Sequence, residues 1–160
     1  DADEYAVYRA AIEHMFGDVG YQRYVIRDRT WPYELGDLDY LRDQMPELDR
    51  ATHVAYSRRN REAHPLSDAF GLSIPVRLIS REELDDIFGS PEGWDEFYRR
   101  YPGSQGEMTL SRVGFDEDRG QALLYLGNMS HWLAGSGWAL LLERSGRDWT
   151  VVGHAFLWIS

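Results

Sequence analysis

Residues 107–160, EMTLSRVGFDEDRGQALLYLGNMSHWLAGSGWALLLERSGRDWTVVGHAFLWIS, contain four apolar runs of strand length: EMTLSRVGF, QALLYLG, WALLLER and WTVVGHAFLWIS. Such runs, bounded by clusters rich in Gly, Asp and Ser, read as β-strands joined by turns. Two of the three connections, DEDRG and SGRD, are short and contain glycine. They predict hairpins, and therefore an antiparallel meander. The third, 128–137, is predicted as a ten-residue loop that presents His131 and Trp132.

Parity along these strands constrains what lies around them. Trp138, Leu140 and Leu142 alternate with Ala139, Leu141 and Glu143, and Val152, His154, Phe156 and Trp158 alternate with Val151, Ala155, Leu157 and Ile159. Both faces are apolar, whereas an open antiparallel sheet with one wet face alternates apolar and polar. The sheet therefore curls round a pocket, or its second face is covered by a helix or by another chain. The last alternative makes a homodimer through that face a candidate assembly.

The first hundred residues are mainly helical. DEYAVYRAAIEHMF (3–16) carries Tyr5, Tyr8, Ile12, Met15 and Phe16 at helical spacing, with acids first and Gly17 as a stop. DLDYLRDQM and ELDRATHVAYSRRN form two helices broken at Pro46, SREELDDIF opens with a capping box of Ser80 and Glu83, and PEGWDEFYRRY is a short aromatic helix. Tyr24–Arg29 and SIPVRLIS read as short strands, the second at an edge because of Pro75. Helices followed by consecutive strands predict one α+β domain over residues 1–160, with N-terminal helices packed on one face of a curved antiparallel β-meander of four to six strands.

The formal net charge of -10 argues against nucleic acid as a partner, because phosphate binding needs clustered positive charge. All 17 basic residues are Arg, and there is no cysteine, which excludes disulfides and thiolate chemistry. No apolar run reaches the roughly 20 residues of a membrane span. The chain begins at Asp1 without methionine, which reads either as a mature form or as a trimmed piece of a longer chain, its export signal removed.

From Tyr101 onwards the chain resembles a set of small exported bacterial proteins of uncharacterised function. The resemblance rests on Tyr101, Pro102, Ser104 and Gly106, on SRVGF (111–115), on Gln121 to Leu123 with Tyr125 and Gly127, on Gly135 and Gly137, on Gly146, Trp149 and Val151, and on the terminal Trp158 to Ser160. It implies a fold unit and export, but no reaction; the cysteines that the set often carries in its loop are absent here. At the level of fold the chain is also similar to the cystatin-like and NTF2-like plan, a curved antiparallel sheet on helices whose concave face often holds a pocket.

Arg112 is the sharpest anomaly, since parity places it with Met108 and Leu110. A charge among apolar side chains needs a partner. It reads as an anion anchor in a pocket, as half of an internal ion pair with Asp28 or Glu107, or as a residue turned out by a bulge. Asn128, His131 and Trp132 on the predicted loop, and His154 beside Phe156 and Trp158, complete the set of candidate ligand-binding residues. The five histidines show no H-x-x-x-H or H-E-x-x-H spacing, no calcium or phosphate loop is present, and no metal or cofactor is implied. The favoured reading is a non-catalytic exported module that binds a small molecule or a protein through the concave sheet face and the 128–137 loop. The alternative is a small NTF2-like hydrolase or isomerase with Arg112 as anion anchor and His131 or His154 as general base. An immunity or inhibitor protein, which the acidic balance would suit, comes third.

Overall fold

In the computed structural model, which describes residues 1–160, side-chain caps start three of the five helices. Asp1 accepts from the backbone of Asp3 and Glu4 at the head of α1 (Ala2–Phe16), and Asp37 accepts from Tyr40 at the head of α2 (Leu38–Gln44). At α4 (Arg81–Phe88), Ser80 Oγ accepts from Glu83 N at 3.1 Å. The return half of this capping box is missing, because the Glu83 carboxylate instead accepts from the Tyr101 hydroxyl. Two further helices, α3 (Arg50–Arg59) and α5 (Trp94–Arg100), complete the set. None is long and apolar enough to cross a membrane.

The sheet has seven strands: β1 (Tyr24–Arg27), β2 (Val76–Ile79), β3 (Glu107–Leu110), β4 (Gly114–Phe115), β5 (Gln121–His131), β6 (Ala134–Ser145) and β7 (Asp148–Ile159). Their order is β2-β1-β3-β5-β6-β7, with β4 beside β5. The α+β class holds, but a purely antiparallel meander of four to six strands does not. β1 runs parallel to both β2 and β3, and only the pairings from β3 onwards are antiparallel. Parallel return needs a crossover, and the helices between these short strands supply it.

Helices of the same chain cover both faces of the sheet, rather than one. On the first, Val7, Tyr8, Ala11 and Ile12 of α1 pack on Met108, Leu110, Leu124, Leu126, Leu140 and Leu142. On the second, α2 and α3 bring Leu38, Leu41 and Tyr56 onto Leu123, Ala139, Leu141 and Ala155. At the other end of that second face, Leu84, Ile87, Trp94 and Phe97 of α4 and α5 cover Val25 and Ile79. Leu41, Leu124 and Leu140 are fully buried, and each such leucine contributes roughly 2 kcal/mol. The apolar parity of β6 on both faces is thus explained within one chain, whereas on β7 Val152, Phe156 and Ile159 stay exposed. The face on which a homodimer was expected is occupied by α2 to α5.

Residues 128–137 form no loop. β5 continues through Asn128 to His131 and β6 begins at Ala134, so that Trp132 and Leu133 alone make the turn. The glycines of this stretch sit in the ladder, because large side chains lie over them. A Cβ on Gly127 would come 2.4 Å from the Tyr125 hydroxyl, and one on Gly137 would come 1.9 Å from Trp158 Nε1.

Between β3 and β4 the chain leaves the ladder. Three residues, Ser111 to Val113, face only two on β5, Leu124 and Tyr125, which is a bulge. Five of the six backbone groups freed there find a partner, Ser111 N donating to Tyr125 O at 3.1 Å. Tyr8 Oη donates to Ser111 O at 2.7 Å, and Asn60 accepts from Arg112 N at 2.9 Å while donating to Arg112 O at 3.0 Å. Glu4 accepts from Val113 N at 2.9 Å and pairs with Arg112 at 3.3 Å and Arg59 at 3.2 Å. β7, the outer edge strand, carries two bulges against β6, at Val152 and Leu157, and Phe156 N donates to the Gln44 side chain at 3.2 Å.

Two outcomes follow from these contacts. Glu4→Ala leaves two partly buried guanidinium groups and the Val113 N–H without their acceptor, and should cost about 3 kcal/mol in urea unfolding. Burial, the main cause, also raises the phenols of Tyr8 and Tyr56 well above their ordinary value of 10.0. Burial and the Glu83 carboxylate bring the Tyr101 phenol to about 12. A raised phenol stabilises the fold below the unfolded value and loses that contribution as pH climbs through the folded one. Stability should therefore hold up to about pH 10 and fall above it, with phenolate absorbance from Tyr8 and Tyr56 appearing only as the fold is lost.

Candidate functional site

On the second face, α2 and α3 cover one end of the sheet and α4 and α5 the other. Between them runs a groove of about 310 Å³. Its floor is built by strand parity: Arg27 of β1, Glu107 and Thr109 of β3, and Tyr125 and Met129 of β5 all point to this side. Its walls are aromatic, with Trp31 and Tyr33 from the segment after β1 and Trp158 from β7.

Hydrogen bonds and stacking hold each wall. Trp31 N donates to Leu110 O at 2.8 Å, and the preceding Thr30 exchanges bonds with His64, giving N to His64 O at 2.8 Å and accepting from His64 N at 2.9 Å. Trp31 is nevertheless 48% exposed. The Tyr33 ring stacks on Tyr125 with centroids 4.0 Å apart, and the Tyr33 carbonyl accepts from the Tyr56 hydroxyl at 2.6 Å. Trp158 Nε1 donates to Tyr125 Oη at 2.8 Å. Burial raises the Tyr125 phenol, although the Trp158 N–H pulls the other way, so its oxygen stays protonated at neutral pH.

One charged pair lies in the groove. Arg27 Nε pairs with Glu107, whose side chain is nearly buried, and the guanidinium sits 5.8 Å from the Trp31 ring centroid. The groove therefore offers flat apolar walls, one paired cation and acid, and a threonine hydroxyl. No histidine or serine lines it. A larger cleft of about 460 Å³ lies between the 32–36 segment and α3. Several of its polar groups already serve structure: His53 Nε2 is 3.0 Å from Gly36 O, Ser57 Oγ donates to His53 O, and Asn60 holds Arg112.

The five residues singled out in the sequence do not converge. Arg112 belongs to the bulge and pairs with Glu4, neither Asp28 nor Glu107; Glu107 is taken by Arg27. Asn128 is a sheet residue whose amide exchanges hydrogen bonds with Gln105, which in turn bonds Val25 N and Val25 O across a gap in the ladder. His131 is exposed at the end of β5, roughly 20 Å along the strand direction from the bulge. Trp132, at the hairpin turn, packs edge-on against Phe88 at 5.7 Å. His154 is exposed on β7, edge-on to Trp138 at 5.4 Å. Neither His131 nor His154 lines the groove.

Sequence reasoning missed Arg27, Trp31, Tyr33 and Glu107 as site residues. The available signal was TWPYELG (30–36), a Trp and a Tyr in a stretch with neither helical nor strand periodicity.

Comparison with protein families, with curated proteins and with solved structures gives no match to this chain. The resemblance to exported bacterial proteins and to the cystatin-like or NTF2-like plan thus gains no support from them, and the parallel pairings of β1 depart from an all-antiparallel plan.

Gly137→Ala should dismantle the Trp158 wall while the fold survives, because the new methyl group occupies the place of Trp158 Nε1. The expected cost is about 1–3 kcal/mol in urea unfolding, with a changed near-ultraviolet circular dichroism from the released indole.

Proposed function

We propose that this protein is a non-catalytic binding module whose ligand lays the apolar face of a ring in the groove between Trp31 and Trp158. The observation that carries this reading is Trp31, which is 48% exposed although its backbone is hydrogen-bonded to β3. An ordered aromatic surface facing a groove is apolar area that a ligand can bury without first having to be immobilised. Aromatic walls with a few fixed polar groups are also the usual composition of small-molecule sites. Of the 128–137 stretch, Met129 lines the groove. Export, which the sequence resemblance implies, would place such a module outside the cytoplasm.

The alternative, a hydrolase or isomerase using Arg112 and a histidine, has less support. Arg112 is engaged by Glu4, and neither His131 nor His154 makes a hydrogen bond through its ring to orient it as a base.

Titration of isotope-labelled protein with 3-methylindole and with a methyl glucoside, followed by amide and indole chemical shifts, tests the reading. One of the two should move the resonances of Trp31, Tyr125 and Trp158. Trp31→Ala should weaken that binding by about tenfold or more, as truncation of a central aromatic contact does. The same change should alter stability by only about 0.5 kcal/mol, because the side chain is half exposed. Absence of shifts with both compounds, or unchanged binding in Trp31→Ala, would overturn it.

A further inference from the structure

The groove does not end at Trp31. Arg27 and Trp31 also line a second cleft, of about 390 Å³, to which Asp28, Arg29 and Arg81 contribute. It lies where the parallel neighbours β1 and β2 end, at Arg27 and Ile79. Ligands of open sheets with parallel strands characteristically bind beyond such carboxyl ends.

The charge there is opposite to that of the molecule. In a chain of net charge -10, three arginines and one aspartate line this cleft. Arg27 is paired with Glu107. Arg29 spends one donor on Ala63 O, at 3.1 Å. A guanidinium has five, and the rest are open. The Arg81 side chain is 90% exposed, and its single ionic contact is a loose one, 3.9 Å to Asp85. Asp28 forms an ion pair with none of the three, and its charge opposes any anion that enters. Guanidinium groups with unspent donors at the end of an aromatic groove are suited to an oxyanion, which they bind by paired, charge-assisted hydrogen bonds.

We propose that the ligand is a ring-bearing acid, with its ring against Trp31 in the groove and its carboxylate or phosphate held by Arg29 and Arg81. This rests on the reading of the groove as a binding site. The test compares 3-methylindole, indole-3-acetate, tryptamine and phenyl phosphate by chemical-shift titration of the whole chain at low salt. At least one of the two acids should bind about tenfold tighter than 3-methylindole, and tryptamine more weakly than either acid. Added salt should erode the advantage. Arg29→Gln with Arg81→Gln should abolish it and leave 3-methylindole unaffected, and Asp28→Asn should strengthen acid binding. Which acid benefits more separates a carboxylate from a phosphate ligand.

Binding of 3-methylindole at Trp31 with no gain for either acid would overturn this inference and leave the groove standing. Failure of all four compounds to shift Trp31 would overturn this inference, and would remove the groove reading as well if the methyl glucoside also leaves Trp31 unmoved. A preference for acids that survives the double Arg substitution would overturn the assignment to Arg29 and Arg81. Should that double variant not fold, the salt dependence and Asp28→Asn still decide the question in the native background: acid binding insensitive to both would overturn it.

Discussion

Three residues that cannot pair as strand, Ser111 to Val113, determine how the layers of this molecule are joined. Their backbone groups lie inside the protein, where an unmade hydrogen bond is costly. Five of the six are met, from different parts of the chain: Tyr8 and Glu4 from α1 on one face, Asn60 at the end of α3 on the other, and Tyr125 within the sheet. A defect in one strand thereby ties together elements that lie on opposite faces. Glu4 extends the same junction to Arg59 and Arg112, whose charges are held close to the apolar interior because one carboxylate serves both. Replacing such a cluster with apolar residues need not weaken a protein, but deleting one member leaves the others stranded.

The groove follows from the way the second face is covered. Two helix pairs, one from each crossover, pack at opposite ends of the sheet, and neither reaches the strip where β1, β3 and β5 meet. That strip carries the polar floor residues Arg27, Glu107 and Thr109, while the neighbouring positions under the helices are Leu123, Leu141, Val25 and Ile79. The pattern of side chains on the face thus matches the pattern of cover above it.

Much of the fold was legible because its signals are local. Asp and Ser caps, Gly17, Pro46 and the apolar periodicity of residues 3–16 and 81–88 fix helices without reference to anything distant. Strand direction was not legible, since Tyr24–Arg27 reads the same whether its neighbour is parallel or antiparallel and the choice is made by the long helical crossover between β1 and β2. The error over 128–137 has a specific physical origin. Glycine is equally a turn residue and a place where another side chain must lie flat on the backbone, and Tyr125, Met129 and Trp158 lying over Gly127, Gly135 and Gly137 make it the second. Arg112 was recognisable as anomalous, yet its partner lies 108 residues away in sequence and no spacing could point to Glu4. The groove was hidden for the same reason, because Arg27, Glu107 and Trp158 are brought together only by the strand order.

The two bulges of β7 bear on how this chain behaves in a crowd. A twelve-residue strand at the border of a sheet would ordinarily offer a long, regular row of free peptide groups to any passing chain. Extra residues at Val152 and Leu157 break that row into short, out-of-phase pieces, and the Gln44 side chain fills part of what remains. A copy of the same strand laid alongside would lose its phase after a few residues. The border can therefore be long enough to complete the core without serving as a template for fibre growth.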